Sequence, residues 1–246
     1  MTEATALRGG THLHFTGNAL PQFGRYIFAF LGCVLVVPAP WMAAWFWRWF
    51  VDNTEAEDGT QISFEGQGAE IWLPLMVLAL MGAWSGFVPW PQNLEMMSPV
   101  ILVPLNIFLY LLVTRWLVTS LRLNGGRVSF VGSSWPYLGY FLLYFVSLFT
   151  IIGWAWVLAA WLRWQSSMVV GDVVVSFAGK GHEILWRGLL ALLGFLLVIP
   201  IPWMMTWSTK WFVNQISIAP ASGQSAADLI QIEFPADTPV SPSRTL

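Results

Sequence analysis

The hydrophobic positions of this chain come in long blocks that contain no charge: Tyr26 to Trp47, Ile71 to Leu94, Met96 to Thr114, Val128 to Leu162 and Gly188 to Ser208. Each is long enough for a spanning helix, since about 20 apolar residues at a rise of about 1.5 Å cross a hydrocarbon core of about 30 Å. The block from Val128 opens with strand and turn residues, so its helix is expected to begin near Pro136. Five crossings is the simplest count. The polar stretch Met1 to Asn18 leaves no cleavable signal peptide ahead of the first block. Ala219 to Leu246, rich in Ala, Ser, Pro and Asp, reads as a disordered tail.

A phrase recurs four times: His14-Phe15-Thr16-Gly17, Ser63-Phe64-Glu65-Gly66, Ser129-Phe130-Val131-Gly132 and Ser176-Phe177-Ala178-Gly179. Counting 31 residues on from the glycine reaches Arg48-Trp49, Arg163-Trp164 and Lys210-Trp211 in three copies. The second copy reaches Arg115-Trp116 only after 49, and its extra 18 residues read as one additional transmembrane helix. Copies one and four align without a gap through Pro38-Ala39-Pro40-Trp41 and Pro200-Ile201-Pro202-Trp203. Between copies, Leu121 to Phe130 around Asn124-Gly125-Gly126, and Val169 to Phe177 around Gly171-Asp172, read as strand, turn, strand. The glycine after each phenylalanine is expected to end a strand with a positive φ and turn the chain into its helix.

These residues resemble the YjgN family, also called the domain-of-unknown-function 898 family, of bacterial inner-membrane proteins. The likeness rests on Phe15-Thr16-Gly17, Pro40-Trp41, Arg48-Trp49 and Gly59 leading to Phe64-Glu65-Gly66, and covers roughly residues 13 to 218. It implies a multi-pass location in the bacterial inner membrane and supplies no catalytic residue.

Composition agrees with a lipid solvent. Charged residues are 10% and hydrophobic residues 57%, with 17 Trp among them, and Trp favours the boundary between lipid tails and water. A net charge of −2 offers no electrostatic footprint for nucleic acid. The single cysteine, Cys33, excludes an intrachain disulfide. The expected fold is therefore an α-helical multi-span membrane protein: about five transmembrane helices with Pro-kinked, Trp-rich ends, and short β-hairpins between four internal repeats. The repeats divide as 13–61, 62–127, 128–174 and 175–218, after a polar segment 1–12 and before a tail 219–246.

Within each unit, Pro38 and Pro40, like Pro200 and Pro202, are expected to kink a helix. The residues beyond the kinks, Trp41, Arg48, Trp49, Arg115, Trp116, Arg163, Trp164, Trp203, Lys210 and Trp211, suit a membrane interface. One crossing per kinked copy then puts Arg48 and Lys210 on one face and Arg163 on the other. The alternative makes each Pro-x-Pro the tip of a helical hairpin that returns to its starting side.

Candidate chemistry is sparse. His12 and His14 read as an exposed strand pair, His182-Glu183 as a solvated helix start, and Asp52, Glu55, Glu57 and Asp58 as a solvated acidic loop. No cofactor, metal or catalytic cluster is expected. Asn106, the one strongly polar amide well inside a block, marks either a cavity or an interhelical hydrogen bond. The favoured function is structural or accessory, through membrane lipids and an unidentified protein partner. A carrier or lipid-handling protein for neutral or apolar molecules is the alternative, because kinked helices in repeats are a transporter device.

Overall fold

The structure, a computed structural model, describes residues 10–87, 98–150, 152–196 and 200–221. Among the described residues each copy is a strand, two helices and a strand. The first is β1 (Thr11–Phe15), α1 (Ala19–Val34), α2 (Ala39–Asp52) and β2 (Thr54–Ala56). The second is β3 (Ile62–Phe64), a 3-10 turn (Gly68–Glu70), α3 (Trp72–Phe87), α4 (Ser98–Thr119) and β4 (Leu121–Leu123). The third is β5 (Gly126–Phe130), α5 (Ser134–Leu148), α6 (Trp154–Ser167) and β6 (Val169–Gly171). The fourth is β7 (Val173–Phe177), α7 (Gly181–Leu196), α8 (Ile201–Asn214) and β8 (Ile216–Pro220).

In every copy the opening and closing strands pair antiparallel. The repeated phenylalanine always faces the first residue of the closing strand: Phe15 with Thr54, Phe64 with Leu121, Phe130 with Val169 and Phe177 with Ile216. Two helices can separate paired strands only if the second brings the chain back. Each unit is therefore a helical hairpin, and the five-crossing arrangement is overturned. Arg48, Arg163 and Lys210 all lie at the strand end, so the expectation that Arg163 faces the other way falls with it. Helices of 14 to 16 residues make up seven of the eight legs, about 21 to 24 Å at about 1.5 Å per residue. Among the described residues one helix, α4, is long and apolar enough to cross a membrane, through its window Leu102–Thr119. The helix lengths do not support a multi-pass arrangement. Eight of the second copy's 18 extra residues fall in α4, which has 22 residues where α2, α6 and α8 have 14; residues 88–97 lie outside the described residues.

The prolines do not kink continuous helices. Pro38 and Pro200 cap the returning helices α2 and α8, and Pro40 and Pro202 sit in their first turns, where a missing N–H costs no hydrogen bond. The reversal before Pro38 uses Val36 at φ 62°, a left-handed conformation that is rare for a β-branched residue.

The strands form two four-stranded sheets, ordered β2-β1-β8-β7 and β3-β4-β5-β6. Asn124 and Gly125 both have positive φ and join β4 to β5 in the tight turn expected of Asn-Gly. The hairpin expected between Val169 and Phe177 does not form, because β6 pairs with β5 and β7 with β8 in the other sheet. Strand β8 runs to Pro220, two residues into the stretch read as a tail; residues 222–246 lie outside the described residues.

The sheets meet where β2 lies beside β3 and β6 beside β7, and α2 packs on α3, α4 on α5, α6 on α7 and α8 on α1. Four hairpins thus close into a ring standing on eight strands. The core joins the two layers: Leu13, Phe15, Leu123, Val128, Phe130 and Ile218 from strands cluster with Ile107, Leu111, Tyr137 and Val213 from the helices.

Candidate functional site

The repeated corner is a packing device. At Gly17, Gly66, Gly132 and Gly179 an added Cβ would lie 2.4 to 2.6 Å from the ring of the phenylalanine two residues earlier. That ring covers the glycine, which excludes any side chain there. None of the four has a positive φ; among the described glycines only Gly59 and Gly125 do. Close approach, rather than backbone handedness, explains these glycines. The other side of the ring meets an aromatic residue that follows the base. Phe15 stands edge-on to Trp49, Phe64 to Trp116 and Phe130 to Trp164, while Phe177 packs on Phe212. Such pairs contribute about 0.5–1.5 kcal/mol beyond burial, and here they tie the end of each hairpin to its beginning.

The bases work between copies. Arg48 donates to the Gly66 carbonyl at 3.3 Å and Arg115 to the Gly132 carbonyl at 3.0 Å, each bridging to the next corner. Arg163 instead donates to Ala159 on its own helix. Trp211 takes the guanidinium of Arg187 over its ring at 4.8 Å, as Trp49 takes Arg25 at 4.5 Å. Trp41 and Trp203, nearer the tips, are more than half exposed. Asn106 lies on α4, half-buried and next to the buried Ile107.

The four helix seams are of two kinds. Between copies one and two, and between three and four, small residues allow close approach. A Cβ on Gly68 would come within 2.8 Å of the Trp41 backbone, and one on Gly181 within 2.7 Å of the Trp156 ring. Ala155 and Ala159 are fully buried against Ile184. The other two seams are polar. At the junction of copies four and one, Gln22 on α1 is completely buried. Its Oε1 accepts from Thr206 at 2.8 Å and its Nε2 donates to Thr209 at 2.8 Å, both on α8. The same offset from the corner glycine in copy three is Tyr137 on α5. Its hydroxyl bonds Thr114 on α4 at 3.0 Å and accepts from Gln165 on α6. Thr114 and Thr209 are equivalent, each preceding the base of its copy.

The Tyr137 seam is hollow. Beside Tyr137 lies a cavity of about 370 Å³ between α4, α5 and α6, lined by Ile107, Tyr110, Thr114, Tyr137, Tyr140, Phe141, Tyr144, Leu158, Trp161 and Gln165. The lining has hydroxyls and an amide but no ionisable acid, lysine, arginine or histidine. Trp161 brings an indole N–H that is buried without a partner. Asn106 does not line it. Sequence reading missed Tyr137, Thr114 and Gln22, although a polar residue at one offset in alternate copies was a usable signal. A larger depression of about 690 Å³ at the second corner is open and polar, and its groups are engaged: Arg122 pairs with Glu65 at 2.8 Å and Glu70 accepts from Trp116.

At the strand end, His14 Nε2 lies 2.6 Å from Glu57 and its Nδ1 3.1 Å from the Asn214 amide. The carboxylate raises the imidazole pKa above its ordinary value, and the imidazole lowers that of Glu57. Among the described residues no group of three or more His, Cys, Asp or Glu could hold a metal ion.

Polarity divides the molecule lengthwise. In the first copy no charge follows Arg25 until Arg48, and in the fourth none follows Arg187 until Lys210, so the outer parts of both hairpins are free of charge. These parts, with the charge-free stretch Val128 to Leu162 of the third copy, expose large apolar side chains: Phe30 is 67% exposed, Leu35 68%, Phe145 57%, Phe149 80% and Leu192 61%. Glu95 in the second copy lies outside the described residues. Comparison with protein-family models, with curated proteins and with solved structures finds no match to this chain.

Proposed function

We propose that this protein is a membrane-inserted structural or accessory protein of the bacterial inner membrane. It acts through lipid and protein contacts, with its hairpin tips seated in one leaflet and the strand ring at the surface. The observation that carries this reading is the lengthwise division, with exposed Phe30, Leu35 and Phe149 at charge-free tips and the ion pairs at the strands. A soluble monomer rarely leaves a contiguous apolar patch larger than a few hundred Å² in water. The length fits as well: ten residues from Tyr26 to Leu35 reach about 15 Å, about half of a hydrocarbon core of roughly 30 Å. The likeness to the YjgN family supports the same location. Lipid handling is the second reading, favoured by the cavity beside Tyr137.

Flotation tests the proposal. The purified full chain, exchanged from mild detergent into phosphatidylcholine vesicles, is expected to float with them and to stay bound through carbonate at high pH. A chain that stays monodisperse without detergent and sediments away from the vesicles overturns it.

A further inference from the structure

We propose that the cavity beside Tyr137 is a binding site for a neutral single-chain amphiphile, an alcohol or carbonyl head on an apolar body, entering from the lipid side. This rests on the membrane reading above.

Four of the chain's five tyrosines line the cavity, so the space has aromatic sides with hydroxyls at fixed points. Its volume of about 370 Å³ lies within the range of small-molecule sites, about 300–1,000 Å³. At about 30 Å³ per water-sized group it holds roughly a dozen heavy atoms, one short chain and not two.

Charge is the second constraint. No lining residue carries one, and burying an unpaired charge among such groups is costly. The occupant is therefore neutral.

Hydrogen bonding is the third. Tyr137 is already engaged by Thr114 and Gln165, whereas the buried indole N–H of Trp161 has no partner. The hydroxyls of Tyr110, Tyr140 and Tyr144 line the same space, so a ligand hydroxyl or carbonyl oxygen has donors to accept from. Among the lining residues Tyr110 is 57% exposed and Phe141 42%. Both sit on the apolar flank that also exposes Leu142 and Phe145, so a ligand dissolved in lipid reaches the site without crossing water.

The equivalent space at the junction of copies four and one is occupied by Gln22 and its two threonines. The hollow is a departure of one copy pair from the repeat.

A diazirine-bearing decanol is the probe, photolysed with the full chain in phosphatidylcholine vesicles and mapped by peptide sequencing. Labelling is expected on peptides carrying Tyr110, Tyr144 and Trp161. Excess decanol should reduce it at least tenfold, and decyl sulfate and decyltrimethylammonium less than twofold. Trp161→Phe, which keeps an aromatic ring and removes the indole donor, should weaken decanol competition about three- to tenfold. Leu158→Trp, which fills the space, should abolish the specific label. Labelling spread over all exposed helices, or equal competition by the charged amphiphiles, overturns the site. Flotation of the same samples separates the two readings: loss of specific label with flotation retained sinks this site alone, and loss of flotation in the unaltered chain sinks the membrane reading itself.

Discussion

The two polar seams use the same repeat positions and end differently. Where copy four meets copy one, Gln22 reaches into α8 and both ends of its amide are satisfied, so the junction is solid. Where copy two meets copy three, Tyr137 at the same offset turns to Thr114 and Gln165, and Leu111 stands where copy four has Thr206, four residues before the base. A tyrosine hydroxyl at the end of a rigid ring cannot do what a flexible amide does in the middle of an interface, and a cavity remains. One seam holds the ring together; the other has room for a ligand.

The largest effect should come from breaking the solid seam. Gln22→Ala removes the bonds to Thr206 and Thr209 and opens a cavity, and should lower stability by about 3 kcal/mol. Gln22→Leu should cost less, because an apolar group of similar size leaves fewer demands; thermal unfolding in mild detergent reads both. Next comes an apolar seam: Gly181→Ala puts a methyl group against the Trp156 ring at 2.7 Å and should cost about 2 kcal/mol by the same measurement. Tyr137→Phe removes one hydroxyl at an already hollow seam and should cost about 1 kcal/mol; a loss as large as that of Gln22→Ala would erase the distinction drawn between them.

The smallest effect is electrostatic and belongs to the solid seam alone, since the positions matching His14 are Ser63, Ser129 and Ser176. His14 has its pKa raised above 6.5 by Glu57. Its stabilising contribution is full below pH 6.5 and fades as pH rises through the raised value. Glu57, lowered from 4.5 by His14, contributes above pH 4.5 and loses its share as pH falls through its lowered value. Both groups are about half exposed, so solvent screens the pair and the shift in melting temperature should be small. Glu57→Gln should flatten the pH dependence between 6 and 8, and an unchanged slope would remove the pair from the account.

The sequence made the fourfold repeat readable because Phe-x-Gly and base-Trp are local phrases with a constant spacing. It left open what the Pro-x-Pro segments do, since Pro38 and Pro40 serve a kink or the start of a returning helix equally well. The deciding residue, Val36 at φ 62°, carries no turn signal in its side chain. Strand pairing within a copy was equally hidden: Phe15 meets Thr54 across 38 intervening residues, and three-residue strands have no periodicity to read. The tryptophans carry a contact that composition does not show: Trp49, Trp116 and Trp164 each stand edge-on to their own corner phenylalanine, which is visible only after the hairpin closes. The candidate cavity was not legible at all, because it depends on Tyr137 and Trp161 converging from separate helices.

The central claim, that the hairpins enter a membrane from one face with their tips inside one leaflet, is tested most directly by depth. Single cysteines placed at Leu35 and Phe149 for the tips, and at Thr60 and Asp172 for the strand ring, in a Cys33→Ala background, can carry a nitroxide in reconstituted vesicles. Oxygen and a water-soluble nickel chelate should place both tip labels in the hydrocarbon and both ring labels in water. An impermeant maleimide should reach the ring cysteines from one side of the vesicle only, and the tip cysteines from neither. Tip labels exposed to the nickel chelate, or tips modified from the side opposite the ring, would contradict the account.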